Sequence, residues 1–127
     1  MDLWKLEPGK HVAPIAPDER LPDEGFAWLD LTHEEVDLVQ VEVERLTGVR
    51  IVDVHVVDAG NLLHPSSFDS TDAYEIVVFR GLSPASTVDA IVTRPTTFFN
   101  FDRLLVTVHA ADSRSVAQVK SRFANLP

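Results

Sequence analysis

Five histidines and twenty aspartates and glutamates are the side chains of this chain that could do chemistry. His33, Glu34 and Glu35 stand together and invite a metal reading. Thr32 precedes Glu35 by three positions, however, which is the spacing of a capping box, and acidic residues in a first turn suit the helix dipole, so a helix start accounts for them better. Asp69 and Asp72 could add weak cation contacts from a polar segment, but they read as solvated loop carboxylates. His55, His64 and His109 share no ligand spacing such as His-x-x-x-His. His109 ends a strand, where a capping or surface role is expected. The chain has no cysteine, which removes disulfides, thiolate metal sites and thiol nucleophiles. It has no Gly-x-Ser-x-Gly elbow, and its five glycines are isolated, so neither that hydrolase signature nor a phosphate-cradling loop is present, and a hydrolase or transferase has little support.

Without a catalytic signature, electrostatics carries more of the argument. Eleven Lys+Arg against 20 Asp+Glu give a formal net charge of -9. Such a surface concentrates cations locally, or simply keeps the protein soluble, and it lacks the basic stripe that a nucleic-acid binder needs. At 127 residues and 45% hydrophobic composition, the chain fits one domain, residues 1-127, able to bury a core without staples. No apolar run approaches the roughly 20 residues needed to span a bilayer, and Met1-Asp2-Leu3-Trp4-Lys5 lacks the features of a signal peptide. These features predict a soluble domain that is not secreted.

The elements that position these side chains follow from periodicity. Residues 1-24, with four prolines, offer only short edge strands around Leu3-Leu6 and Val12-Ile15. Phe26-Leu31 is short and apolar enough for a buried strand. The helix begun at Thr32 carries the stripe Val36, Val39, Val43 and Leu46, and Gly48 stands where a C-terminal cap belongs. Residues 49-59 are rich in valine and favour a strand by propensity, while the spacing of Val54, Val57 and Ala59 also permits a short helix. Residues 60-72 look like a loop. Tyr74-Arg80 reads as a strand and Val88-Thr93 as another. Residues 98-109 form a hairpin around a polar turn at Asn100-Arg103, with Leu104, Val106 and Val108 on one face and Leu105, Thr107 and His109 on the other. Asp112 and Ser113 cap a last helix with the apolar face Val116, Val119 and Phe123, which stops at Pro127. This order of elements predicts an α/β (α+β) sandwich with a mixed parallel/antiparallel sheet.

Four segments, in order, resemble the cytoplasmic domain of the CorA family of magnesium and cobalt transporters. They are Phe26-Ala27-Trp28-Leu29-Asp30-Leu31 with its acidic helix; Val57-Asp58-Ala59-Gly60-Asn61 with His64-Pro65-Ser66; Tyr74-Leu82; and the hairpin followed by Ser115-Phe123. Together they cover residues 24-124. The family's His-Pro pair has no counterpart at Val52 and Asp53, and its Gly-Met-Asn pore motif and transmembrane helices are absent. The resemblance implies a sheet sandwiched by helices, a short helix ending in Asp58 and Asn61, and a regulatory rather than enzymatic role. It places Asp58 as the ligand of a weak regulatory magnesium, or another divalent cation, shared with a carboxylate outside this chain. It implies a homopentamer of identical subunits, held at the cytoplasmic face of the cell membrane by C-terminal helices beyond this fragment, and no nucleic-acid partner. A zinc-transporting relative of the same superfamily and a stand-alone α/β interaction module are the alternatives; two apolar spans downstream of Pro127 separate the transporter from the module.

Overall fold

Gly25, at φ +85°, turns the chain into its first central strand, and a Cβ there would fall 2.0 Å from the Leu6 carbonyl oxygen, so no other residue fits without moving backbone. The computed structural model describes residues 1-125. Strand β1 (Asp2-Leu6) and the two-residue β2 (Ala13-Pro14) form the short edge pieces that the prolines permit. β3 (Phe26-Thr32) is the apolar run after Gly25. Glu35 then accepts from both the backbone N-H of Thr32 (3.0 Å) and its hydroxyl (3.2 Å), fixing the helix entry. The first turns, His33-Leu38, are a 3-10 helix, and the α-helix α1 runs Val39-Thr47. Val39, Val43 and Leu46 are buried, and Gly48 caps the end at φ 72°, as the periodicity predicts.

Helix α2 (Asp53-Gly60) settles residues 53-59 as helical, and residues 49-52 lead into it without forming a strand. Six valines and isoleucines gave them strand propensity, but tertiary packing outweighs it. Folding instead buries Ile51, His55 and Ala59 and leaves Val52, Val54 and Val57 48%, 56% and 67% exposed. Two further expectations are corrected. The loop at 60-72 contains β4 (Ser67-Ser70), a polar edge strand too short to show alternation. Of the expected strand Val88-Thr93 only Thr93 is extended; Val88-Val92 is not a strand. It belongs to the long turn between β5 (Glu75-Leu82) and β6 (Thr93-Asn100), where Val88 and Ile91 face solvent and Ser83, Ser86 and Thr87 supply the turn hydrogen bonds. The hairpin stands as expected: β6 pairs antiparallel with β7 (Leu104-His109), and Phe101 N-H closes the turn on the Leu104 carbonyl. α3 (Arg114-Ala124) starts at Ser113, whose hydroxyl accepts from Val116 N-H. It ends at Ala124 with Asn125 at its cap, before the stop expected at Pro127, a residue outside those described.

The seven strands form one sheet in the order β2-β1-β3-β7-β6-β5-β4. Every pairing is antiparallel except β3 with β7, so the sheet is mixed. One face carries Leu29, Leu31, Phe99, Leu104, Val106 and Val108 into the core against α1 and α2. On the opposite face, Trp28 meets Phe123 of α3 edge-on at 5.3 Å, and Trp4 stands 6.0 Å from the same ring. Both central strands are thus covered on two sides, which is why β7 reads as a nearly unbroken apolar run. The result is the predicted mixed sheet between helices.

Candidate functional site

Asp58 lies in the last turn of α2 and is partly exposed, with its Oδ1 3.4 Å from Nε2 of His64. Its backbone carbonyl accepts from Asn61 N-H at the helix end, and His64 follows in the turn after Asn61. The other ring nitrogen of His64 is 2.8 Å from the Pro65 carbonyl, so Nδ1-H donates there and Nε2 faces the carboxylate. A single partly exposed carboxylate fits a magnesium ion, which keeps most of its waters. Among the described residues no group of three or more His, Asp or Glu is arranged to hold a metal ion, so Asp58 could contribute to a site but not complete one.

The other candidates are engaged elsewhere. Glu35 accepts from the N-terminal ammonium at 2.6 Å as well as from Thr32, and these hydrogen bonds hold its carboxyl below the usual range. His33 Nε2 bonds the Pro95 carbonyl (3.1 Å), and Glu34 is exposed. The metal reading of the trio thus gives way to the helix start. Asp72 is exposed, but Asp69 is not merely a solvated loop carboxylate: its Oδ2 accepts from Nε2 of the buried His55 at 2.8 Å. That bond, followed by one from Ser70 N-H, keeps the Asp69 carboxyl low. His55 Nδ1 lies 2.7 Å from the Tyr74 hydroxyl, which also accepts from Val52 N-H at 3.0 Å. The proton positions follow. Tyr74 donates to Nδ1, Nε2-H donates to Asp69, and the chain of bonds ties the start of α2 to β4 and β5.

A second network was hidden from sequence reasoning and corrects the surface role expected for His109. His109 is 4% exposed and Asp30 2% exposed. Nε2 of His109 lies 2.8 Å from Asp30 Oδ2, and its Nδ1 lies 2.6 Å from the Ala110 carbonyl. Both ring nitrogens face acceptors, so the ring carries both protons. Lys120 of α3 forms an ion pair with the same Oδ2 and hydrogen-bonds Asp2 at 2.9 Å. Thr107 donates to Asp30 Oδ1 and accepts from Trp28 Nε1 at 2.9 Å. Burial pushes the Asp30 carboxyl up, but the bonds from His109, Lys120 and Thr107 outweigh it and hold the group below its ordinary value. Burial likewise opposes charge on His109 and Lys120, and the Asp30 carboxylate overcomes it, raising both. The available signal was the shared face of Thr107 and His109 in β7. It becomes useful only when β3 is known to lie beside β7 with Asp30 opposite Thr107.

Beside this network an apolar groove of about 410 Å³ separates the sheet from α3, with Phe79, Phe98, Leu105, Val116, Val119 and Phe123 in its walls. Its ionisable lining residue, Arg94, is committed to Asp112. Among the described residues no helix is long and apolar enough to cross a membrane.

No protein-family model and no curated protein matches this sequence. Solved structures do. The complete CorA magnesium transporter of Methanocaldococcus jannaschii superposes with a TM-score of 0.69 at 10% identity, over 96% of this chain and 36% of that one. The soluble domain of the same CorA gives 0.67 at 13% identity, over 98% and 47%. The ZntB cytoplasmic domain from Vibrio parahaemolyticus RIMD 2210633 gives 0.67 at 12% identity, over 98% and 49%. The chain spans less than half the length of each. From Asp2 in β1 to α3, its fold is that of the CorA soluble domain and the ZntB cytoplasmic domain.

Proposed function

We propose that this chain is the cytoplasmic regulatory domain of a CorA-like transporter of divalent metal cations, magnesium or cobalt, and that it senses the intracellular cation through Asp58. One observation carries the reading: the fold extends over 98% of this chain in two soluble domains, one of them from a magnesium transporter. In this reading identical subunits form a homopentamer at the cytoplasmic face of the cell membrane, and the pore is supplied by helices outside this chain. Asp58, at the exposed end of α2, holds magnesium jointly with a carboxylate of a neighbouring subunit. The bound ion offsets repulsion between acidic surfaces, so one arrangement of subunits is favoured while the cation is abundant, and another as it falls. Coupling of this kind is typically worth about 1 to 3 kcal/mol per effector. The test is a magnesium titration of transport by the full-length protein with and without Asp58→Ala. The variant is expected to stay open at magnesium concentrations that close the parent. An unchanged dependence removes Asp58 as the sensor.

The approach of His64 to Asp58 favours a second reading of the sensed ion. An imidazole nitrogen and a carboxylate oxygen suit a borderline ion such as zinc better than magnesium, which prefers oxygen alone. His64→Ala separates the two: it weakens a zinc response and leaves a magnesium response intact.

A further inference from the structure

Asp30 Oδ2 serves two cations at once: His109 Nε2 from β7 and Lys120 Nζ from α3. Its other oxygen is taken by Thr107, so the two cations compete for a single acceptor. Lys120 divides itself between Asp30 and Asp2 of β1. α3 buries none of its own residues, and besides Lys120 it holds the sheet mainly through Phe123, which touches Trp4, Phe26 and Trp28. The helix is therefore seated lightly, and one of its two anchors is an ion pair shared with a titratable ring.

We propose that α3 is a pH-sensitive latch: a proton on His109 weakens the grip of Asp30 on Lys120 and loosens the helix from the sheet. The reasoning is linkage. Docking α3 brings an ammonium beside His109 and disfavours its charge; by reciprocity, charge on His109 disfavours docking. The charged groups that face the ring are Asp30 from β3, Lys120 from α3 and, through Lys120, Asp2 from β1. Nearby ions are paired among themselves: Asp112 with Arg94, and Glu35 with the N-terminus. His33 bonds a backbone carbonyl. With His109 charged, these four groups sum to zero. With it neutral they carry one net negative charge, which holds Lys120 more firmly. α3 forms one wall of the apolar groove, so its seating also sets the groove's width.

Global unfolding responds with the opposite sign. The unfolded chain loses the bonds from His109 to Asp30 and Ala110, so the proton stabilises the whole fold while it loosens α3. A histidine that only braces the structure would shift both equilibria the same way. The experiment follows the His109 ring by NMR across pH in the full 127-residue chain and in Lys120→Met, and measures amide exchange of α3, corrected for intrinsic rates. Lys120→Met is expected to raise the His109 pKa. For each unit of that rise, α3 protection in the parent should increase about tenfold as pH climbs through the His109 titration. His109→Gln should abolish this dependence; if that variant fails to fold, the Lys120→Met titration decides alone. An unchanged or lowered His109 pKa in Lys120→Met overturns the proposal, as does α3 protection that stays flat or falls with rising pH in the parent.

Discussion

A carboxylate removed from water keeps its charge only if neighbours replace the hydration, and Asp30 has three such neighbours. Asp30→Asn leaves Lys120 and His109 facing a neutral amide and is expected to cost about 3 to 5 kcal/mol, read from urea denaturation. Thr107→Val is milder, about 1 to 3 kcal/mol, because it orphans the Trp28 indole N-H and one Asp30 oxygen. The pH dependence of global stability follows from the same residues. The depressed Asp30 value contributes stability that is present above 3.8 and disappears as pH falls through the folded-state value. The raised His109 value contributes stability that is full below 6.5 and disappears as pH rises through the folded-state value. The urea midpoint is therefore expected to decline on both sides of a slightly acidic plateau, and a midpoint that climbs above pH 6.5 contradicts this account. None of this was legible from single positions. Asp30 and His109 are 79 residues apart, and their partnership exists only through strand register.

At the scale of elements, local chemistry told most where it was periodic or capped. α1 was readable because its valines recur at helical spacing between Thr32 and Gly48, and the hairpin because apolar residues alternate about a polar turn. α2 was ambiguous because its sequence carries strand residues, and tertiary demand decided: the Tyr74 hydroxyl captures Val52 N-H and His55 at the helix start. Tyr74→Phe should therefore loosen α2 selectively, costing about 1 to 3 kcal/mol and raising amide exchange there before it does in β3 or β7. β4 escaped notice because four exposed residues show no burial pattern. Val88-Thr93 misled because β-branched residues also occupy long turns. Two glycines give a graded test. Gly48→Ala pays only for its left-handed φ, about 1 kcal/mol, since nothing lies within 4 Å of the new methyl. Gly25→Ala must also displace the Leu6 carbonyl, so its urea midpoint should fall well below that of Gly48→Ala. The candidate site drew on two sources. Asp58 came from the resemblance, whereas its approach to His64 depends on the turn after α2 and could not be read from spacing.

For the whole molecule, a net charge of -9 places acidic surface around a sheet whose middle is apolar on the α1 and α2 side and holds the Asp30 network on the α3 side. Divalent cations should stabilise such a body beyond what monovalent salt of equal ionic strength achieves if Asp58 belongs to a genuine site, and Asp58→Ala should erase the difference in thermal melting. The sheet order has its own outcome. β3 and β7 lie side by side and parallel at the centre, yet everything from α1 to β6 intervenes in the chain. During synthesis, β3 leaves the ribosome with only β1 to pair with, long before β7 exists, and one side of its Trp28 and Leu29 must wait without shelter until His109 has cleared the exit tunnel. A nascent chain arrested short of Leu104 should therefore remain protease-sensitive and bind chaperones. One long enough to free β7 should snap shut in a single step.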